Sequence, residues 1–181
     1  MEIYSESLNS YESILVQTEL KLKQYTQEFE EKWISINDSV LSKMADIAKC
    51  SWKQNFINVH FVDCVNGASA WTTDIVLPPF PHIDVGKKLL AHELAHTLVP
   101  EYFLKPKLQN LVLDQSIAHT IVDLIAYFSI KEHVTDPEKR GIKPNPKYYV
   151  QVDELYPIFE DCYNYPEKYR SFDEVLKQVA K

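Results

Sequence analysis

Glycine is scarce in this chain: three residues in 181. Few turns can then rely on positive φ, which favours helices over a many-stranded β architecture. Cysteine is scarce as well. Cys50, Cys64 and Cys162 form an odd set with no CxxC pair, which argues against a disulfide framework and a zinc ribbon. Reduced thiols filling apolar sites are expected instead. Basic residues are in deficit, 19 Lys and Arg against 26 Asp and Glu, for a formal net charge of −7. With no basic run to displace counterions, binding to nucleic acid is not expected. No stretch approaches the ~20 apolar residues needed to cross a bilayer. Met1 to Glu6 carry neither the basic nor the apolar region of a secretory leader, so a cytoplasmic protein without a membrane partner is expected.

What remains is an ordinary globular composition, 45% hydrophobic and 25% charged. The length suits one domain, expected as a helical extension over 1–54, a core over 55–133 and a closing segment over 134–181. Apolar residues spaced by three and four predict helices over 6–32 and over Ser39 to Trp52, with Asn37 to Ser39 as turn and cap. The β-prone run Ile57 to Cys64, then Asn66-Gly67, then Ala68 to Leu77 predicts a hairpin. Pro78, Pro79 and Pro81 end the second strand. A helix is expected over Asp84 to Leu98 with Asp84 as its cap, and a long buried one from Leu108 to about Glu132. Two closing helices follow, Val152 to Tyr163 and Ser171 to Ala180. The expected fold is α+β and mainly helical, a small, partly antiparallel sheet packed on the helix before Pro100 and on the long central helix.

The chemistry concentrates in His92-Glu93-Leu94-Ala95-His96. Residues four apart share one helix face, so His92 and His96 can offer imidazole nitrogens to one zinc ion. Glu93 can reach a water on that metal without being a ligand and act as general base. Leu89, Leu90, Leu94, Ala95 and Leu98 mark the helix as buried, and burial makes unsatisfied polar side chains costly there.

This pentapeptide resembles the active-site helix of the zincin metallopeptidases, and the order of strands, motif helix and second helix is similar to theirs. The resemblance implies zinc as cofactor, a peptide or protein substrate, and an edge strand before the motif helix that binds extended peptide. Here that strand would be Trp71 to Leu77, with Trp71, Thr72 and Thr73 as contacts. The metzincin continuation after His96 is missing, because Pro100 to Phe103 stand in its place. The gluzincin pattern takes a glutamate from the next helix, and none lies between Glu101 and Glu132. Gln115, His119 and Asp123 instead form one stripe, and His119-x-x-x-Asp123 resembles the gluzincin Glu-x-x-x-Asp with histidine for glutamate. His119 is therefore the expected third ligand and Asp123 the acceptor that orients a ligand imidazole, with Asp114 or Asp123 itself as alternative ligands. Oxyanion donors are sought among Tyr148, Tyr149, Tyr163 and Tyr165. His60, His82 and His133 are expected to be structural or exposed. A zinc-dependent peptidase is the expected function. A zinc hydrolase of non-peptide amides or esters, and a catalytically inactive binding protein, are the alternatives.

Overall fold

The computed structural model of the chain describes residues 2–63, 65, 67–71, 73–99, 115–135, 143–146 and 151–179, with backbone alone for 2–14. It is mainly helical with one three-stranded mixed sheet. Helix α1 spans Glu2–Ile34 and α2 spans Asn37–Ala48. Only Ser35 and Ile36 separate them, and α2 begins at Asn37, so the expected turn over Asn37 to Ser39 lies inside its first turn. Lys49 ends α2 in the left-handed conformation (φ 53°), where glycine is usual. Gln151 holds the same conformation before a later helix. Two of the three positive-φ positions among the described residues are thus filled without glycine.

The sheet differs from the expected hairpin. Strands β1 (Asn58–Phe61), β2 (Ser69–Ala70) and β3 (Asp74–Leu77) lie in the order β1-β3-β2. β1 runs parallel to β3, with Val59 opposite Ile75 and Phe61 opposite Leu77. β2 runs antiparallel to β3, with Ala70 opposite Ile75. Gly67 does turn the chain (φ 98°), but β2 does not return along β1. The tight turn falls at Trp71, whose N–H donates to the Asp74 carbonyl (2.8 Å). The reason is burial. Ile75 and Leu77 are fully buried, so β3 takes the middle of the sheet. A parallel partner then needs a long crossover, which residues 62–73 supply.

The prolines after β3 release the chain into α3, Ile83–Leu98. Its N-cap is His82, and Asp84 lies in its first turn, where it accepts from Lys87 Nζ (3.2 Å) and the Thr135 amide (3.3 Å). Helix α4 spans Gln115–Ile130 and runs into a 3₁₀ turn, Lys131–His133. Helices α5 (Val152–Asn164) and α6 (Phe172–Val179) close the fold.

Helix α4 is the centre of the core. Every residue from Thr120 to Ile130 is buried. Around it pack Val40, Met44 and Ile47 of α2, Leu90 and Leu94 of α3, and Phe159 and Cys162 of α5, while Val175 joins the same core from α6, which packs on α5. α2 therefore belongs to the same core. Burial pushes the Cys162 thiol up to about 11, and Cys50 and Cys162 are free thiols. Cys64 and Asn66 lie outside the described residues.

The end of α1 docks through an i, i+4, i+8 ladder of Tyr25, Phe29 and Trp33. Phe61 of β1 meets Tyr25 and Phe29 edge-on, at centroid distances of 5.1 and 4.8 Å. Gly86 of α3 lets this ladder approach: a Cβ there would stand 2.6 Å from Tyr25 Oη and 2.9 Å from Phe29 Cε2. Among the described residues no helix is long and apolar enough to cross a membrane.

Candidate metal centre

α3 carries its polar residues on a helix that is otherwise core. Leu90, Ala91, Leu94, Ala95 and Leu98 face inward, and His92 and Glu93 are each only 8% exposed. Two histidines four apart on such a helix share a stripe, and the neighbouring helix α4 brings His119 beside them. The three imidazoles form a triangle. Ring centroids are 4.8 Å apart for His92–His96, 4.9 Å for His96–His119 and 5.7 Å for His92–His119. One nitrogen from each ring lies within 4.8 Å of the other two. His92 is buried, His96 half-buried and His119 exposed, so the group opens to solvent on its His119 side.

His92 is held at its other end. Its Nδ1 stands 3.0 Å from Asp123 Oδ1, and Asp123 is fully buried. Because an ionised carboxylate can only accept, Nδ1 is the donor in this contact, and Nε2 is the nitrogen left to face the other rings. That nitrogen lies toward His96, whose Nε2 is 3.1 Å away. Lys88 joins the same arrangement. Its Nζ is 3.0 Å from Asp123 Oδ1, the oxygen that also meets His92. Burial alone would raise the Asp123 pKa, but the His92 hydrogen bond and the Lys88 charge outweigh it and hold the carboxyl below its ordinary range.

Burial and two imidazole neighbours, His92 and His119, press the His96 pKa down to about 4 against the pull of Asp123. Burial, then His92, lowers His119 as well. Both rings are therefore neutral at pH 7, the form in which imidazole binds metals. Burial raises the Glu93 pKa, with His92 opposing. Glu93 is not a member of the three-residue group whose donor atoms converge.

The other sequence candidates fall elsewhere. Trp71 and Thr73 lie in the turn between β2 and β3, not on an edge strand, and Trp71 is 60% exposed. The edges of the sheet are β1 and β2, and the strand just before the motif helix is central. Thr72, Asp114, Tyr148 and Tyr149 lie outside the described residues. Tyr163 donates its hydroxyl to Glu132, and its pKa is pushed up to about 12, chiefly by burial. Glu132 follows the far end of α4, thirteen residues past His119, or roughly 20 Å along the axis. That distance removes Tyr163 as an oxyanion donor at the histidine group. Tyr165 is 55% exposed beyond the end of α5. His60 pairs with Asp74 (3.0 Å) and His133 with Ser39 (3.1 Å), both on the surface.

Lys88 was not legible as part of the site from composition or motif. The signal available was its position four residues before His92, on the same stripe of a buried helix. No protein-family model, no curated protein and no solved structure matches this chain.

Proposed function

We propose that the chain is a zinc-dependent peptidase in which His92, His96 and His119 hold the ion and Glu93 is the general base. The observation that carries this reading is the convergence of three imidazoles, one of them oriented by a buried carboxylate, with a buried glutamate next to it in sequence. The donor set fits the ion. Zinc–nitrogen bonds of ~2.0–2.1 Å in a tetrahedron put ligand nitrogens roughly 3.3 Å apart. His92 Nε2 and His96 Nε2 are 3.1 Å apart. The exposure of His119 suits a fourth, exchangeable position, the feature that separates a catalytic site from a structural one.

An ion held by His92, His96 and His119 would supply Lewis acidity toward a carbonyl and toward water. Asp123 accepts from His92 Nδ1, which fixes the ring and raises its strength as a donor. The Glu93 carboxylate takes the proton from the attacking water and delivers it to the leaving nitrogen. Its burial suits both halves of that cycle, because a raised pKa brings the acid and base forms closer in energy. An extended peptide as substrate follows from the zincin resemblance of His92 to His96.

Elemental analysis and a peptide library test the proposal together. One zinc per chain is expected, with hydrolysis in wild type. Glu93→Gln should keep the zinc and lose about 10²- to 10⁴-fold in hydrolysis. Zinc without cleavage of any peptide would move the assignment to non-peptide amides or esters. No stoichiometric metal would end it.

A further inference from the structure

We propose that Lys88 is a positioning residue of the metal centre, holding Asp123 so that His92 turns its Nε2 lone pair toward the metal position. This rests on the reading of His92, His96 and His119 as ligands. The geometry behind it is direct. Lys88 Nζ and His92 Nδ1 meet the same oxygen, Asp123 Oδ1, each at 3.0 Å. The lysine side chain is 13% exposed and the aspartate side chain not at all. The other oxygen, Oδ2, finds no hydrogen-bond partner among the described residues. The contacts made at Oδ1 therefore decide where this carboxylate sits.

A buried carboxylate with a single imidazole donor is poorly compensated, and a second partner, a lysine ammonium, changes that balance. Lys88 reaches Asp123 because it stands one turn before His92 on α3, on the same stripe. The two side chains approach one oxygen from a single helix, so the carboxylate is pinned against α3 and the His92 ring with it. Lys88 stands four residues from His92 and its charge ends on Asp123, so it acts through that residue. The lysine provides, before metal arrives, the positive charge that the ion provides afterwards. Its effect belongs to the readiness of the site, and shows as metal affinity and as the tautomer of one ring.

The test uses the full chain and zinc ions, with Lys88→Met, Lys88→Gln and Lys88→Arg. Zinc affinity is read by chelator competition. The His92 tautomer is read from imidazole ¹⁵N shifts of zinc-stripped protein. Lys88→Met and Lys88→Gln should each weaken zinc binding by about tenfold or more, the range of partners that orient ligands. Both should lose the Nδ1–H signature of His92, and Lys88→Arg should restore affinity and tautomer. Unchanged affinity and an unchanged His92 tautomer in Lys88→Gln would overturn the proposal. Loss of stability in Lys88→Met with a wild-type tautomer in Lys88→Gln would make Lys88 structural only, and also overturn it. If wild type itself binds no zinc, the ligand assignment fails instead, while the tautomer comparison still reports on Lys88.

Discussion

His92 and His119 stand on opposite walls of the same site. His92 is 8% exposed, lies on a helix buried on most sides, and has its outer nitrogen tied to Asp123 and, through it, to Lys88. His119 is exposed, in the first turns of the described part of α4. Yet Asp123, which anchors the buried wall, lies on α4 only one turn beyond His119. Helix α4 passes from surface to core within those four residues, since everything from Thr120 onward is buried. One helix thus supplies the open wall and the anchor of the closed one. The arrangement thus has one imidazole fixed by a buried carboxylate and one that solvent can reach.

Removing each wall in turn gives the largest contrast. His92→Ala and His119→Ala should both abolish stoichiometric zinc, measured by elemental analysis after dialysis. Their zinc-stripped stabilities should part. His92→Ala takes a hydrogen-bond donor from a fully buried carboxylate, worth about 1–3 kcal/mol. For a chain of this length that lowers Tm by on the order of 5 °C. His119→Ala changes an exposed side chain and should stay within ~0.5 kcal/mol of wild type. Equal losses in calorimetry would mean that the two walls do not differ as described.

A smaller effect sharpens the role of the anchor. Asp123→Asn keeps the shape of the side chain but removes the charge that Lys88 and His92 share. Zinc affinity should fall about 10- to 100-fold while stoichiometry at saturation stays at one, read by chelator competition. Complete loss of zinc at saturation would instead make Asp123 a ligand in its own right.

The closed wall was more legible in the sequence than the sheet that flanks it. His92 and His96 read directly, because spacing by four on an apolar helix has one geometric meaning. His119 and Asp123 read by the same rule on the next helix. α2 was legible through Val40, Met44 and Ile47, all fully buried. The sheet was not. Asn66-Gly67 carries a strong hairpin signal, and Gly67 turns as such a residue should, but local turn chemistry does not choose a strand's partner. That choice went to Ile75 and Leu77, whose burial puts β3 in the middle. Trp71 and Thr73 look like strand residues because aromatic and β-branched residues favour strands, yet both lie between β2 and β3. Lys88 was missed for a different reason. A lysine on a helix is ordinarily solvated, and only the meeting of α3 with α4 shows a buried carboxylate opposite it.

The smallest predicted effect concerns pH. His96 belongs to the half-buried part of the site, and its pKa falls from 6.5 to about 4, first by burial and then by His92 and His119. A histidine with a depressed folded pKa binds fewer protons folded than unfolded between those two values. Stability of the zinc-stripped protein from this group is therefore full above about pH 6.5 and declines as pH falls toward 4. His119 acts in the same direction, its pKa also being lowered. Glu93 opposes: its raised pKa means the folded state holds its proton more tightly above 4.5, so that term grows as pH falls. His96→Gln should flatten the acid limb of a stability–pH profile between 6.5 and 4 and leave its neutral plateau in shape. Urea titrations at half-unit pH steps would measure this. A limb as steep in His96→Gln as in wild type would put the acid sensitivity outside His96. The same depression has a consequence for metal binding. His96 is already neutral at pH 5.5, so it adds no proton competition there. Zinc affinity between pH 7 and 5.5 should then fall less than three histidines of ordinary pKa would require.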